Sequence, residues 1–554
     1  MINKERIIEI LNGKSVSRTL FIVSFFIFLY FLIHSAGTHV LRYDEVFSLH
    51  LVKDNMQHII KLTAIDVHPP LHYFWLKLVD TVCNALHVPG GKIFIGSVAS
   101  AIPILILMIF SVTYLRKEIG NLFAALFCFS LVSMPHMIYY MLDVRMYSLG
   151  MLFLTLSYYV TYKIQKDEIS WKNYLMLIIL TLCGLFTQYY VGISIFCAYL
   201  MLLIWLILRN DLNRIKWLIL SGIISAGIFI ISWGPTLLNQ IKYVSSSFWI
   251  GAFDITTILH ALFYMLCNYK IGDTTYTLIN SPIGWDSILL GLLIFTVIIM
   301  ILAILFDKHH LSKSDEEDFY NLNVFNLLKL VRDKLLSCNF LIFGFTIFIF
   351  EIIIGMLLSN LIGKPTLHVR YLVVTIPVIW LSICIAIKQI RNHSKIFSTV
   401  IIIFLLVGAF VSLDYEYSME YDSEMNSIVS PSRMIGTLKL IPNDDLIIDG
   451  DLTTTGIREL VKHHPDNATY VNKLDTYWEP PFLNIYASQH NMGTLRGDLI
   501  KRVKHALDTG HSVWIIGEYA PLYEIRDSSF GFLDHYQVTR IPYAFKISPL
   551  PFRK

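Results

Sequence analysis

Four short groups of ionisable residues stand between the hydrophobic segments of this chain: Tyr43-Asp44-Glu45, Asp66-Val67-His68-Pro69-Pro70-Leu71-His72-Tyr73, Asp143-Val144-Arg145-Met146-Tyr147, and Gly363-Lys364-Pro365-Thr366-Leu367-His368-Val369-Arg370-Tyr371. A carboxylate at a bilayer surface can take a proton from an acceptor hydroxyl or amine. Asp44, just beyond the first hydrophobic segment, is best placed for that role, and Glu45 would orient or tune it. The same pair also suits the start of a helix expected over about 46 to 63, whose Val52, Met56, Ile59 and Ile60 form an apolar stripe. Asp66, His68 and His72 bracket a Pro-Pro pair that enforces an extended approach to the next helix. A phosphate at this corner would meet a helix N-terminus and imidazole donors, while the alternative is plain loop geometry.

Arg145 and Arg370 both fall at the ends of apolar segments, with Tyr147 and Tyr371 close behind them. A guanidinium suits phosphate through its forked donors. The competing explanation is an interfacial arginine reaching lipid headgroups beside aromatic residues. Gln188, Tyr189 and Tyr190 occupy a very short turn on the same expected face and would line the same cavity, although such residues at an interface need no catalytic explanation. Glu351 stands alone inside an apolar segment, where an ionisable residue is either functional or hydrogen-bonded between helices. A divalent ion held by Asp44 and Asp66 is compatible with the sequence, but two carboxylates do not define a site.

The elements that must position these groups follow from composition. With 55% hydrophobic, 14% aromatic and 15% charged residues in 554, and a mean hydropathy of +0.59, the chain carries too little charge to cover soluble domains. It reads as a polytopic membrane protein, mainly α-helical. A net charge of +3, with Lys and Arg dispersed, argues against nucleic acid as a partner. The seven cysteines show no C-x-x-C spacing and no His partnering, so neither zinc nor disulfides are expected. No small-residue cleavage site follows the first apolar segment, which is read as a retained span.

Length and apolar continuity suggest about eleven spans: 19–37, 93–114, 121–140, 147–163, 173–190, 191–208, 217–234, 286–306, 339–360, 371–387 and 396–413. With the N-terminus cytoplasmic, every inner connection is basic, from Lys4, Arg6, Lys14 and Arg18 to Lys388, Arg391 and Lys395. The four ionisable groups and a long loop at 235–285 then share the opposite face. Residues 69–86 contain Lys77, Asp80 and two leading prolines, and are expected to lie in the interface rather than to span. The stretch 307–338 is read as a solvated or interfacial cytoplasmic connector. This divides the chain into a membrane module, 1–413, whose first outer loop is 38–92, and a small α/β domain, 414–554, expected outside. That domain has strand-like runs at Leu446-Ile447-Ile448 and Val513-Trp514-Ile515-Ile516, a helix-like stretch at 498–508 and no cysteine. The sequon Asn467-Ala468-Thr469 matters only in a glycosylating pathway, and His309-His310 and His463-His464 are read as surface residues.

Taken in order, Asp44-Glu45, Asp66-Val67-His68-Pro69-Pro70-Leu71, Asp143-Val144-Arg145-Met146-Tyr147, and Arg370-Tyr371 with Pro377 resemble the motifs of the GT-C glycosyltransferases. The resemblance is specifically to the protein O-mannosyltransferase and lipid A aminoarabinose transferase group, and it covers about residues 1–413. It implies a helical membrane module with interfacial helices over an outward cavity, a polyprenyl-phosphate sugar as donor, and an extracytoplasmic glycopolymer, lipid or protein as acceptor. It further implies Asp44 as catalytic base and Arg145 and Arg370 near the donor phosphate. Asp66, His68, His72, Asp143, Tyr147, Gln188, Tyr189, Lys364 and Tyr371 are the accompanying candidates for donor or substrate binding. Gln188 departs from the basic residue or His often found at that turn. Independently, a polyprenyl-phosphate leaves readily once cations stabilise it, so a base and two arginines suffice for one inverting displacement. A lipid transporter or flippase is the alternative, but its polar residues should line a path through the spans, where only Glu351 is conspicuous. The lack of disulfides and retention signals favours a bacterial plasma membrane.

Overall fold

The computed structural model describes residues 14–36, 43–52, 55–166, 169–247, 332, 336, 339–426, 442, 445–449, 474–476, 504–516, 536–541 and 544–549. The expected span 286–306, the connector 307–338 save for two residues, most of the loop 235–285, the sequon and both His-His pairs lie outside them.

Helix α1 (Lys14–Ser35) buries Phe28 and Phe31 and leaves Phe26 and Ile33 exposed, the one-sided pattern of a helix between protein and lipid. Two short helices follow, α2 (Tyr43–Leu51) and α3 (Met56–Ile65). A single helix over 46–63 was expected. The chain breaks instead before Asn55, whose side chain accepts the His58 amide at 2.9 Å and starts α3 afresh. Helix α4 (Leu71–Ala85) is about 22 Å long at 1.5 Å per residue, too short to cross a hydrocarbon core. Trp75 Nε1 donates to the Ala99 carbonyl at 2.8 Å, and Lys92 pairs with Asp80 at 2.6 Å, so α4 is docked on α5 (Lys92–Phe110), which continues through a π-helical turn to Ile119.

The expected span at 121–140 is two helices, α6 (Asn121–Ser133) and α7 (Met137–Leu142). Pro135 lacks an amide for the helical ladder and His136 takes the left-handed conformation at φ 62°, so the axis turns there. Helix α8 (Tyr147–Lys166) runs through the middle of the bundle against α5, α9 (Trp171–Thr187) and α10 (Tyr189–Leu208). Its Ser, Thr and Tyr residues face protein rather than lipid, and Tyr158 donates to the Phe340 carbonyl at 2.9 Å. Gly150 permits the close approach: a β-carbon there would lie 2.6 Å from Val191 Cγ2 and 3.0 Å from Val374 Cγ1. Helix α11 (Leu212–Ser247) continues through Pro235, well beyond the expected span at 217–234, and carries Trp233 and Gln240 to the end of the bundle where α3 lies. Helices α12 (Gly344–Ile362), α13 (Ile376–His393) and α14 (Lys395–Asn426) complete the module. Beyond Leu413, Glu416 of α14 accepts the His136 amide at 3.2 Å.

Seven described helices are long and apolar enough to cross a membrane, and the chain is an integral membrane protein. The two apolar helices α6 and α9 fall short of that length, and α8 is too polar along its buried faces. The figure of eleven is therefore not reached among the described residues. At the C-terminus, strands β1 (Leu446–Asp449), β2 (Leu474–Thr476), β3 (Val513–Ile516), β4 (Tyr536–Ile541) and β5 (Ala544–Pro549) form one mixed sheet in the order β2-β1-β3-β5-β4. Strands β2, β1 and β3 are parallel; β5 and β4 run antiparallel. Asp445 binds this core by accepting from the Ser512 amide and Trp514 Nε1, both at 2.8 Å.

Candidate active site

Asp44 and Glu45 occupy the first turn of α2, where acidic side chains complement the helix dipole. Their surroundings differ. Glu45, 2% exposed, accepts the Val144 amide at 3.0 Å, which fastens α2 to the corner between α7 and α8. A buried carboxylate needs such a donor, and Glu45 thereby orients the turn that presents Asp44. Asp44 keeps its carboxylate partly open. Its Oδ2 lies 3.4 Å from Arg370 Nη1, with the Asp44 side chain 37% and the Arg370 side chain 22% exposed.

Arg145 approaches from the other side. It is 4% exposed, and its Nη1 donates to the Asp44 carbonyl at 3.1 Å and to Ser48 Oγ at 3.2 Å. Ser48 in turn donates to the same carbonyl at 2.9 Å. Burial opposes the charge on Arg145, but the carboxylates of Asp44 and Asp66, with nearby tyrosines, outweigh it and raise its pKa above the usual guanidinium value. Arg370 is set by the short helical turn Val369–Leu372, whose preceding His368 accepts the Arg370 amide through Nδ1 at 3.2 Å. Tyr371 stacks on Tyr190 at 5.0 Å between ring centres, and the Tyr190 hydroxyl meets Thr366 Oγ1 at 3.1 Å.

Asp66 closes α3, its amide donating to the Leu62 carbonyl at 3.1 Å, and Pro69 and Pro70 then turn the chain into α4. Burial raises the Asp66 pKa to about 6 despite the Val67 amide and Arg145. Burial lowers His68 and His72 to about 3, and Arg145 repels a proton from both. At neutral pH the imidazoles are therefore uncharged, leaving the positive charge to the arginines. Tyr73 is buried beside Arg145, its pKa pushed up by desolvation.

These shifts predict an acid response. The two histidines fall from an ordinary 6.5 to about 3, so the unfolded chain gains protons first as pH drops, and the stability they contribute above pH 6.5 is lost towards pH 3. Asp66 acts oppositely: raised from 3.8 to about 6, it costs stability as pH rises through that window. Two imidazoles over the wider interval outweigh one carboxylate. Lowering pH from about 7 to about 5 is expected to lower Tm, and His72→Gln should flatten that slope. An unchanged slope in the variant would remove His72 from the account.

Beside this cluster, α9, α10, α11 and α12 enclose a cavity of about 420 Å³. His68, Gln188, Tyr190 and Tyr371 line it together with apolar residues such as Phe196, Phe229 and Leu358. Gln188 is the extended residue between α9 and α10 and is 2% exposed. Tyr189 is tied into the wall: its hydroxyl donates to Gln240 Oε1 and accepts from Trp233 Nε1 at 2.8 Å, while Gln240 Nε2 donates to the Thr63 carbonyl at 2.8 Å. Tyr147 and Asp143 are buried at the α7–α8 corner.

Asp44, Arg145 and Arg370 thus meet, although Arg370 is 326 residues from Asp44. Lys364 is not gathered with them: it is exposed in the loop before Arg370, with no hydrogen bond or ion pair from its side chain to another described residue. Glu351 is fully buried within α12 and forms no ion pair among the described residues. Sequence reasoning passed over Ser48 and Gln240. Ser48 follows Asp44 by one helical turn, a signal that was available; Gln240 fell in a stretch expected to be loop. Among the described residues, no three His, Cys, Asp or Glu side chains gather in an arrangement suited to a metal ion, and the Asp44 carboxylate pairs with Arg370.

No protein-family model matches this chain, and no curated protein sequence does. Solved structures similar to it throughout include two of ArnT. One is ArnT from Cupriavidus metallidurans in the apo state, with a TM-score of 0.52 and 10% identity over 96% of this chain and 98% of that one. The other is the same enzyme bound to undecaprenyl phosphate, with a TM-score of 0.51 and 11% identity over 97% and 98%. At this identity the likeness establishes the fold alone, which is that of ArnT.

Proposed function

We propose that the protein is a glycosyltransferase that moves a sugar from a polyprenyl-phosphate donor to an acceptor outside the cytoplasm, such as an envelope glycopolymer, lipid or protein. The observation that carries this reading is the partly open carboxylate of Asp44, paired with Arg370 while buried Arg145 bonds the Asp44 carbonyl, beside an apolar cavity. Asp44 takes the proton from the acceptor hydroxyl or amine as its lone pair attacks the anomeric carbon. The carbon–oxygen bond to the phosphate breaks with its electron pair leaving on the phosphate oxygen. Arg370 stabilises that charge directly, and buried Arg145 adds a fixed positive field. One displacement inverts the anomeric centre. Buried Asp66 and the neutral His68 and His72 shape the floor of the site, and Glu45, Asp143 and Tyr147 hold the corner. Tyr189 and Tyr371 build the cavity wall, and Lys364 stays exposed in the loop before Arg370.

The cavity receives the isoprenoid. Because a bilayer is itself apolar, moving the tail from lipid into protein gains little hydrophobic energy, so affinity comes mainly from the arginines and the cavity sets direction. The membrane module and the C-terminal sheet then correspond to residues 1–413 and 414–554, the latter placed outside to select acceptors. In a bacterial plasma membrane with a cytoplasmic N-terminus, this puts the site on the external leaflet, where lipid-linked sugars are used.

Transfer of a radiolabelled sugar from purified polyprenyl-phosphate donor in proteoliposomes tests the reading. Leu358→Trp, which narrows the cavity, is expected to raise KM for a long-chain donor about tenfold and to spare a short water-soluble one. Flipping of donor lipid without transfer to any acceptor would refute the transferase assignment.

A further inference from the structure

Gln188 has its main chain fully bonded: its amide donates to the Gly184 carbonyl at 3.0 Å and its carbonyl accepts the Gly192 amide at 3.3 Å. Its side chain is the reverse. Only 2% exposed, it has neither Nε2 nor Oε1 in a hydrogen bond to any described residue, and it lines the cavity. Nearby Gln240 shows what this fold does with a buried amide that serves structure, for both its polar atoms are bonded. Leaving a buried donor and acceptor unmatched opposes folding, and such groups persist where a ligand completes them.

We infer that Gln188 reads a hydroxyl of the donor's sugar, and that the transferred sugar is uncharged at that position. This rests on the transferase reading above and narrows it to a substrate class. A primary amide offers one kind of donor and one acceptor, and a hydroxyl matches both at once. A phosphodiester only accepts, which leaves Oε1 unmatched; an ammonium only donates, which leaves Nε2 unmatched. Charge points the same way. At His68, at this end of the cavity, the field of Arg145 outweighs that of the Asp44 carboxylate, and Arg370 adds to it, so the balance is positive. A cationic sugar would meet repulsion there, whereas the donor phosphate already has Arg370.

The test uses the full chain in nanodiscs, as wild type and as Gln188→Met, which keeps the side chain's length and removes its polar atoms. Binding is read as the Tm rise on titration with undecaprenyl phosphate, with undecaprenyl-phosphate esters of glucose, mannose and galactose, and with their amino-sugar counterparts. Three results are expected. Ligand-free Gln188→Met melts at or above wild type, because no native bond is lost. It binds sugar-free undecaprenyl phosphate within about twofold of wild type, yet binds the best neutral ester at least about tenfold more weakly. Wild type prefers each neutral ester to its amino counterpart. A lower ligand-free Tm would make the amide structural. Equal weakening for sugar-free lipid and ester would assign it to the phosphate, and no weakening for either would leave it without a ligand; each overturns the inference. Failure of every one of these lipids to stabilise wild type would overturn the transferase reading itself, and this inference with it.

Discussion

Asp44→Asn should lower sugar transfer by about 10³- to 10⁴-fold, the upper range for a general base, while donor affinity stays within a few-fold of wild type. Asparagine has the shape of aspartate, and its carbonyl oxygen can still accept from Arg370, so the 3.4 Å contact survives in weaker form. The backbone contact from Arg145 is indifferent to the change, because it goes to the Asp44 carbonyl. What disappears is the basic oxygen. Removing a negative charge beside two guanidiniums should, if anything, tighten the hold on an anionic donor. Single-turnover transfer with prebound donor separates the two effects, with a fall in the chemical step expected and no compensating rise in dissociation. Near wild-type turnover would exclude Asp44 as the base.

Arg370→Met should reduce kcat/KM by about 10²- to 10³-fold, comparable with losing one oriented donor from a developing anion. Both kcat and donor affinity should suffer, since the phosphate is charged before and after the bond breaks. Arg370→Lys restores a positive charge without the fork and is expected to recover only part of the loss. Arg370 suits this experiment better than Arg145. The latter is 4% exposed and bonded to both Asp44 and Ser48, so its removal disturbs the α2–α8 corner as well as the field. Identical losses in the Met and Lys variants would mean that fork geometry, rather than charge, is what Arg370 supplies. No loss in either would remove it from the site.

Much of the architecture was legible because it depends on neighbours in the chain. Apolar runs located α1, α5, α10, α12 and α13 within a few residues, and the start of α14 though not its extension to Asn426; Lys77, Asp80 and the leading prolines marked α4 as a helix that does not span. Errors arose where a local interruption overrode hydropathy. Asn55 began a new helix inside the stripe that seemed to join α2 to α3, and Pro135 with His136 broke the segment at 121–140 although almost every side chain around them is apolar. Helix α11 continued through Pro235 where polar residues suggested loop, its outer part held by the Gln240 bond to Thr63.

The site divides along the same line. Residue types and motif order named Asp44, Arg145 and Arg370 as candidates, because each motif is contiguous, and the packed helices bring the three together. Sequence could not say that Glu45 and Asp44, adjacent and alike, face different surroundings, one bonded to Val144 and the other open to Arg370. It could not say that Lys364 stays exposed in its loop, or that of two buried glutamines Gln240 is bonded to described residues through both polar atoms and Gln188 through neither. Hydropathy and turn preference act over a few residues and so are written in the chain itself. Burial, charge state and hydrogen-bond satisfaction depend on groups brought together from hundreds of residues apart, and only the packed helices determine them.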